Sequence, residues 1–257
     1  MEIVLITIVA FIAAGLTLFS GFGLGTILLP AFVIFFPVDI AIAITAIVHF
    51  LNNIFKLQIY RKSIDKKIII AFGIPAIIAS YFGAMLLINL SVLEPLFVYY
   101  IGENSFEILP IKVVIGFLLN IFAVIEIIPK LNSLSFDKKY LPLGGILSGF
   151  FGGLSGHQGA LRSAFLLRVG LSKESFIGTG VAVACLIDII RLYEYGTASL
   201  STAIQNNYYM ILFAVIAAFS GSYIGVRLVK KVTIKSFQLS VSIMLFVIAD
   251  LMILGII

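Results

Sequence analysis

The chain has few charged residues, a single cysteine and no tryptophan. Only 11% of its 257 residues are charged and 61% are hydrophobic, whereas a soluble domain has about 25% charged residues. This excludes an ordinary soluble enzyme and a disordered chain. The lone Cys185 excludes a disulfide scaffold, and the 22 glycines follow no triplet repeat, which excludes collagen. With a mean hydropathy of +1.20, the composition predicts several membrane spans.

Metal and nucleic-acid binding are not expected either. Two histidines and one cysteine without ligand spacing predict no metal site, and no segment suggests a bound cofactor. The formal net charge of +5 would suggest an anionic partner in a soluble protein. In a membrane protein this charge lies in the loops and sets the orientation of the spans. The net charge therefore does not indicate an anionic partner, and the expected partner is the lipid bilayer.

Six stretches are long and apolar enough to cross a bilayer, which requires about 20 residues. They are 40–60, 68–90, 111–128, 175–195, 208–229 and 236–257. Two further apolar stretches, 3–36 and 140–169, contain glycine-rich interruptions at 20–25 and 152–159. Each is predicted to be two half-length helices around a break. Because Glu2 is followed by no basic residue, the first stretch is not expected to be a signal peptide.

Loop charge predicts how these segments are arranged. Three basic clusters are expected on the cytoplasmic side: Arg61, Lys62, Lys66 and Lys67; Lys130, Lys138 and Lys139; and Arg227, Lys230, Lys231 and Lys235. The loop with Glu94, Glu103 and Glu107 is expected outside. Between the second and third basic clusters the chain passes one broken stretch and two spans, so it returns to the same side only if the broken stretch is a hairpin.

The predicted fold is therefore an all-α polytopic membrane protein with two inverted repeats, each a broken re-entrant hairpin followed by three transmembrane helices. The repeats are 1–130 and 137–257, with a cytoplasmic linker at 130–139 and both termini outside. Rare polar residues match between them. At an offset of 135 residues Ser20 falls on Ser155 and Asn53 on Asp188, and at an offset of 124 Glu126 falls on Asp250. At an offset of 142 residues, 80–83 falls on 222–225.

Three sequence features resemble one known family. They are the glycine-broken hairpins, the runs at 43–46 (Ala-Ile-Thr-Ala) and 177–180 (Ile-Gly-Thr-Gly), and the segment from Ser155 to Arg162. They are similar to the TauE/SafE family of membrane permeases, and the similarity covers essentially the whole chain. The resemblance implies a secondary transporter of small anions in the bacterial cytoplasmic membrane, with sulfite and organosulfonates as the best-known substrates, and not an enzyme.

The two breaks are the first candidate anion site. A helix interrupted inside the membrane leaves free backbone N–H groups, and glycine lets a ligand approach them. The alternative is that the glycines only permit close helix packing. The candidate residues are Ser20, Gly21, Gly23 and Gly25 in the first break and Ser155, Gly156, His157, Gln158 and Gly159 in the second.

Charged side chains inside the predicted spans extend this site. Arg162 follows the second break, where an unpaired cation costs about 2.5–3.5 kcal/mol, and either a bound anion or an unidentified carboxylate would offset that cost. His49, Asn53 and Lys56 share one helix face, and the matching helix carries Asp188 and Arg191 at a spacing that allows them to pair. These residues are candidates for the permeation path.

Each of these candidates also has a structural alternative. Lys56 and Arg191 could reach the interface, and His49 could be a hydrogen-bonded structural residue. Asp250 has no basic neighbour on its own helix and is a candidate carrier of a coupling proton.

Two other functions fit parts of the sequence. Residues 153–156 match the G-x-S-G pattern of intramembrane serine proteases, with Ser155 as nucleophile and His49 as a conceivable base. An anion channel would use the same polar residues, but its flux would not saturate as the anion concentration rises. The repeated break favours a permease, because a protease needs only one. Substrate, direction, coupling ion and oligomeric state are not defined by the sequence.

Overall fold

The computed structural model describes residues 1–20, 23–132, 134–198, 206–228 and 234–257. Gly21, Lys230 and Lys231, which carried predictions, lie outside them. In the first half the helices are α1 (Glu2–Ser20), α2 (Leu24–Val33), α3 (Val38–Tyr60), α4 (Lys66–Ser91, with a π-helical stretch at Ile69–Gly73) and α5 (Pro110–Ile127). Short helical turns lie at Arg61–Ser63, Pro129–Asn132 and Lys138–Tyr140.

The second half has the same order of elements. Its helices are α6 (Leu141–Ser155), α7 (Gly159–Leu166), α8 (Lys173–Ala198), α9 (Tyr208–Leu228) and α10 (Ile234–Ile253). A feature that was not predicted is an antiparallel hairpin of β1 (Phe97–Ile101) and β2 (Asn104–Ile108) in the loop expected outside. Its turn contains Gly102 at a φ of 63°, a backbone conformation that favours glycine.

Five of the described helices are long and apolar enough to cross a membrane: Val38–Ser63, Lys66–Ser91, Pro110–Ile127, Lys173–Gly196 and Tyr208–Gly225. They confirm five of the six predicted spans. The sixth corresponds to α10, in which Gln238–Ile253 is a shorter apolar helix. The chain is therefore a mainly helical, polytopic membrane protein.

Both predicted helix breaks are present, but their arms are unequal. The arms α1 and α2 have 19 and 10 residues, and α6 and α7 have 15 and 8. At a rise of about 1.5 Å per residue, α1 is about 28 Å long and α2 about 15 Å. The helix α1 ends at Ser20, close to the middle of 3–36, where the glycine cluster predicts the break. The second break begins at Gly156, whose φ of 83° ends α6 in a left-handed conformation.

Glycines hold the principal helix pairs at short distances. The most extensive contacts join α4 with α6, α1 with α9, α5 with α10, and α3 with α8. Gly145, Gly149 and Gly153 of α6 lie directly against the α4 backbone, and Gly221 and Gly225 of α9 lie against that of α1. Small residues at such positions let helices approach closely in a membrane, where van der Waals packing drives association.

Replacing Gly149 with leucine is expected to destabilise the α4–α6 pair. A β-carbon at this position would lie 2.6 Å from the α-carbon of Ala76, so the helices must separate, and overpacking costs about 1–3 kcal/mol. Thermal unfolding of the purified protein in detergent should show a lower midpoint. Gly196→Ala is the matched control, because nothing lies within 4 Å of that β-carbon position; an unchanged midpoint in Gly149→Leu would contradict the packing account.

Candidate functional site

The two helix breaks lie next to each other in the interior. A methyl group added at Gly25 would be 3.4 Å from the carbonyl oxygen of Gly156, and one added at Gly23 would be 3.9 Å from the backbone nitrogen of Gly159. Ser20 ends α1. The described residues of both breaks therefore meet, which brings the starts of α2 and α7 together.

Asp188 of α8 is the centre of a buried hydrogen-bond network beside the breaks. Its side chain is fully buried, and its Oδ2 lies 2.6 Å from Nδ1 of His49 on α3. Its Oδ1 accepts from Nε of Arg191 at 2.9 Å, and Nη2 of the same guanidinium is 2.8 Å away. The pairing that the spacing of Asp188 and Arg191 predicted is therefore confirmed.

Gln158 connects this network to Arg162. Its Nε2 donates to Oδ1 of Asp188 at 3.2 Å, and its Oε1 accepts from Nη1 of Arg162 at 3.0 Å. The Gln158 backbone carbonyl accepts in turn from the Ser148 hydroxyl at 3.1 Å. Within the described part of the chain, Arg162 forms no ion pair with a carboxylate, so its nearest polar partner is a neutral amide.

A cavity with a volume of about 110 Å³ lies between this network and the protein surface. That is room for several water molecules or a small ion. Arg162 and Ser163 of α7 and Phe176 and Ile177 of α8 are half-buried, whereas His49 is buried deep in the cavity. The cavity therefore opens where α3 ends and α8 begins. It is lined by Thr17, Gly23, Leu24, His49, Asn53, Lys56, Arg162, Ser163, Leu166, Phe176, Ile177, Gly180 and Val181.

Lys56 is buried at this cavity and does not reach the interface. Only 6% of it is exposed, and its ammonium donates to Oδ1 of Asn52 at 3.1 Å when the Asn52 amide is oriented so that both its oxygen and its nitrogen have partners. The Asn52 amide nitrogen donates to the carbonyl of Ala218 on α9 at 3.2 Å. Arg191 is fully buried. The interfacial alternative is therefore wrong for both cations.

The glycine at 156 makes room for Arg191. A β-carbon at Gly156 would lie 2.7 Å from Nη1 of Arg191. The backbone of the second break and the buried guanidinium are thus in direct contact. A larger residue at 156 would have to move Arg191 away from Asp188.

Ser155 and His157 lie outside the cavity lining. The Ser155 hydroxyl donates to the carbonyl of Phe151 at 3.1 Å and lies 3.1 Å from Nδ1 of His157. The His157 ring stacks on Phe122 of α5, with 5.1 Å between the ring centroids. The serine protease alternative required His49 as the base, but His49 is bonded to Asp188 and not to Ser155.

Asp250 also lies apart from the cavity. It is exposed on α10, and its Oδ1 accepts from Nδ2 of Asn120 on α5 at 2.9 Å. The structure therefore separates it from the other candidates. Across the described ranges, no group of three or more His, Cys, Asp or Glu residues could hold a metal ion.

Eight residues of the cavity lining were not among the predicted site residues, and three of them are Thr17, Ser163 and Gly180. Thr17 lies one helical turn before Ser20, and its hydroxyl is buried with no hydrogen-bond partner among the described residues. Ser163 follows Arg162 directly. Gly180 lies beside Arg162, and a methyl group there would be 3.2 Å from Nε. The position of Thr17 one helical turn before the break could have indicated it from the sequence. The proximity of Gly180 to Arg162 depends on tertiary structure and could not.

Buried polar and charged side chains around an internal cavity, held between helices long and apolar enough to cross a membrane, are typical of membrane transporters. The chain belongs to the sulfite exporter TauE/SafE family, whose sequence profile matches residues 6–252. This confirms the resemblance seen in the sequence, and the family consists of membrane transporters of anions. No curated protein and no solved structure matches the chain.

Proposed function

We propose that the protein is a secondary transporter of small oxyanions of the sulfite and organosulfonate type, and that the anion binds in the cavity between Arg162 and Lys56. The observation that supports this most is the charge of the cavity. Both cations line it, and the side chains that accept their hydrogen bonds, Gln158 and Asn52, are neutral amides.

The charge balance of the network leaves a place for an anion. The carboxylate of the network, Asp188, is already bonded to Arg191 and His49. Lys56 and Arg162 therefore keep an excess of two positive charges inside the membrane. Such charges are costly unless they are paired. A bound oxyanion would offset this cost, and the planar guanidinium can hold two of its oxygens at once.

The breaks and Thr17 would add neutral donors to this site. Backbone N–H groups at the start of α2 and α7 are not used within their helices, and the positive end of each helix dipole favours an anion. Both helices are short, but the two breaks meet at the cavity, so the starts of α2 and α7 lie close to the proposed anion. Thr17 also lines the cavity, and its hydroxyl has no hydrogen-bond partner among the described residues. The backbone of the breaks therefore keeps four further residues as candidates for anion binding: Ser20, Gly21, Gly25 and Gly159.

We further propose that the chain consists of two inverted repeats that rock against each other in alternating access. The pattern of helix pairs supports this. If α1 to α5 correspond to α6 to α10, the α1–α9 and α6–α4 pairs are equivalent, and α3–α8 and α5–α10 each map onto themselves. Gly225 lies against Gly15, and the matching Gly83 lies against Phe150, at the offsets of 142 and 135 residues.

The cavity is proposed to face the cytoplasm in this structure. It opens beside the end of α3, and the loop that follows contains the basic residues Arg61 and Lys62. The Asp65 backbone N–H in this loop donates to the Thr179 hydroxyl at 2.9 Å, so the end of α3 and the start of α8 lie on one side. Both termini are then outside, as the loop charges predict.

Flux measurements in reconstituted vesicles test the proposed function. We expect initial rates for sulfite or methanesulfonate that saturate with concentration and exceed those for acetate. Empty vesicles are the control for passive leak. Rates that never saturate would indicate a channel, and the absence of flux for sulfite, methanesulfonate and sulfate would contradict the proposal.

Replacing Gly180 with a larger residue is expected to lower the transport of larger anions more than that of smaller ones. Gly180→Val fills part of the cavity beside Arg162, whose Nε lies 3.2 Å from the β-carbon position. The rate for methanesulfonate, which is larger, should fall more than the rate for sulfite. Competition between the two anions in one vesicle preparation measures this ratio. Gly196→Ala is the control, and an unchanged ratio in Gly180→Val would place the anion elsewhere.

A further inference from the structure

We propose that His49 binds a proton together with the transported anion, so that the two move through the protein in the same direction. This inference rests on the proposed function. It assigns the coupling role to the His49–Asp188 pair in the cavity, and not to Asp250, which lies outside the cavity lining.

The geometry leaves one ring nitrogen of His49 free to take a proton. Nδ1 lies 2.6 Å from Oδ2 of Asp188. Because a carboxylate only accepts, Nδ1 carries the hydrogen of the neutral ring and donates it. Nε2 is then the acceptor, and the Asn53 amide nitrogen lies 3.3 Å from it and 3.1 Å from Nδ1. Protonation at Nε2 converts the imidazole to imidazolium, and rotation of the Asn53 amide would present its oxygen to the new N–H.

His49 is the part of the pair that the cavity reaches. It lines the cavity, whereas Asp188 does not and is fully buried. A proton that enters with water from the open end of the cavity therefore meets His49 first. The hydrogen bond to Asp188 fixes the ring so that this access is maintained, as a carboxylate partner does for many functional histidines.

The surrounding charges make proton binding depend on the anion. The charged groups that face His49 are Asp188 and Arg191 from α8, Lys56 on its own helix and Arg162 from α7. Of the other helices that pack on α3, α2 contains no titratable side chain, and the titratable residues of α4, α5 and α9 do not line the cavity. Around a neutral His49 this set has an excess of two positive charges, so a further proton is opposed by repulsion.

A bound anion lowers this opposition. With the imidazolium the cluster has an excess of about three positive charges, and an oxyanion between Arg162 and Lys56 reduces it to about two for a monoanion or one for a dianion. Proton and anion therefore raise each other's affinity, and this coupling is reciprocal by thermodynamic linkage. Two ligands that bind cooperatively to the same side of an alternating-access transporter are carried together.

The test uses vesicles loaded with a pH-sensitive dye, and methanesulfonate and sulfate as the anions. Neither anion changes charge between about pH 5 and 8, the range in which an unperturbed histidine does. In the wild type we expect anion influx to acidify the lumen. We also expect the influx rate to fall by up to about tenfold for each unit by which the pH rises, because His49 loses its proton. Sulfite is unsuitable here, because it titrates itself.

The variants locate the effect. His49→Gln should carry the anion at a low rate that does not change with pH, without acidification. Arg168→Gln is the control, because it changes an exposed charged residue outside the cavity lining, and it should keep both the pH dependence and the acidification. A His49→Gln variant with wild-type acidification would overturn the inference.

The wild type alone tests the inference if His49→Gln fails to fold. Anion flux without acidification and without pH dependence overturns the inference but leaves the proposed function intact. Vesicles that carry neither of these anions, and no sulfite either, overturn the proposed function and the inference with it. Acidification that follows anion influx supports both.

Discussion

Arg162→Ala is expected to lower the initial rate of anion flux by about 30-fold or more. Removing one partner of a buried, hydrogen-bonded charge pair costs about 2–5 kcal/mol, and the anion would lose its two-pronged guanidinium donor. Gln158 would also lose the group bonded to its Oε1. The measurement is the concentration dependence of sulfite flux in vesicles with equal amounts of each variant, because loss of binding raises the half-saturating concentration.

Two further arginine variants separate charge from geometry. Arg162→Lys keeps the charge but not the planar fork, so we expect an intermediate rate. Arg168→Ala removes an exposed arginine that does not line the cavity, and its flux should equal that of the wild type. Wild-type flux in Arg162→Ala would show that the anion does not bind at this guanidinium.

Asp188→Asn is expected to lower the stability of the protein by about 3–5 kcal/mol, because it leaves the buried guanidinium of Arg191 without its counter-charge. Arg191 is fully buried and lies against Gly156, so water cannot replace the carboxylate. The midpoint of thermal unfolding in detergent should fall sharply. Asp250→Asn is the control, since it removes an exposed carboxylate with one hydrogen bond to Asn120.

A double variant tests whether charge is the cause. Asp188→Leu combined with Arg191→Met removes both members of the pair, and apolar replacements of buried ion pairs are often neutral or stabilising. We expect the double variant to unfold at a higher temperature than Asp188→Asn while losing transport. If Asp188→Asn unfolds at the wild-type temperature, the network does not hold α3, α7 and α8 together.

Much of the fold could be predicted because charges are rare in membrane spans. The spacing of Asp188 and Arg191 predicted their ion pair, since residues three apart share a helix face. The glycine clusters predicted both breaks, because glycine interrupts a helix at low steric cost. The length of each arm depends on where the break lies, and in 3–36 the glycines lie closer to the end than to the start.

The directions of individual side chains could not be predicted. His49, Asn52 and Lys56 share a helix face, but Asn52 contacts α9 while the other two line the cavity. Ser155 and His157 lie in the second break with Gln158, yet only Gln158 reaches Asp188. Helical periodicity defines a face, whereas the neighbour on that face is decided by tertiary packing. The β1–β2 hairpin could not be predicted from charge, because Glu94, Glu103 and Glu107 indicate only the side of the membrane on which the loop lies.

The central claim is that an anion binds between Arg162 and Lys56. Equilibrium binding of radiolabelled sulfite to the purified protein tests it most directly, because binding does not require reconstitution or a complete transport cycle. We predict saturable binding in the wild type and in Arg168→Ala, weaker binding in Lys56→Met and in Arg162→Met, and none in the variant with both changes. Equal binding by the wild type and a folded double variant would contradict the claim.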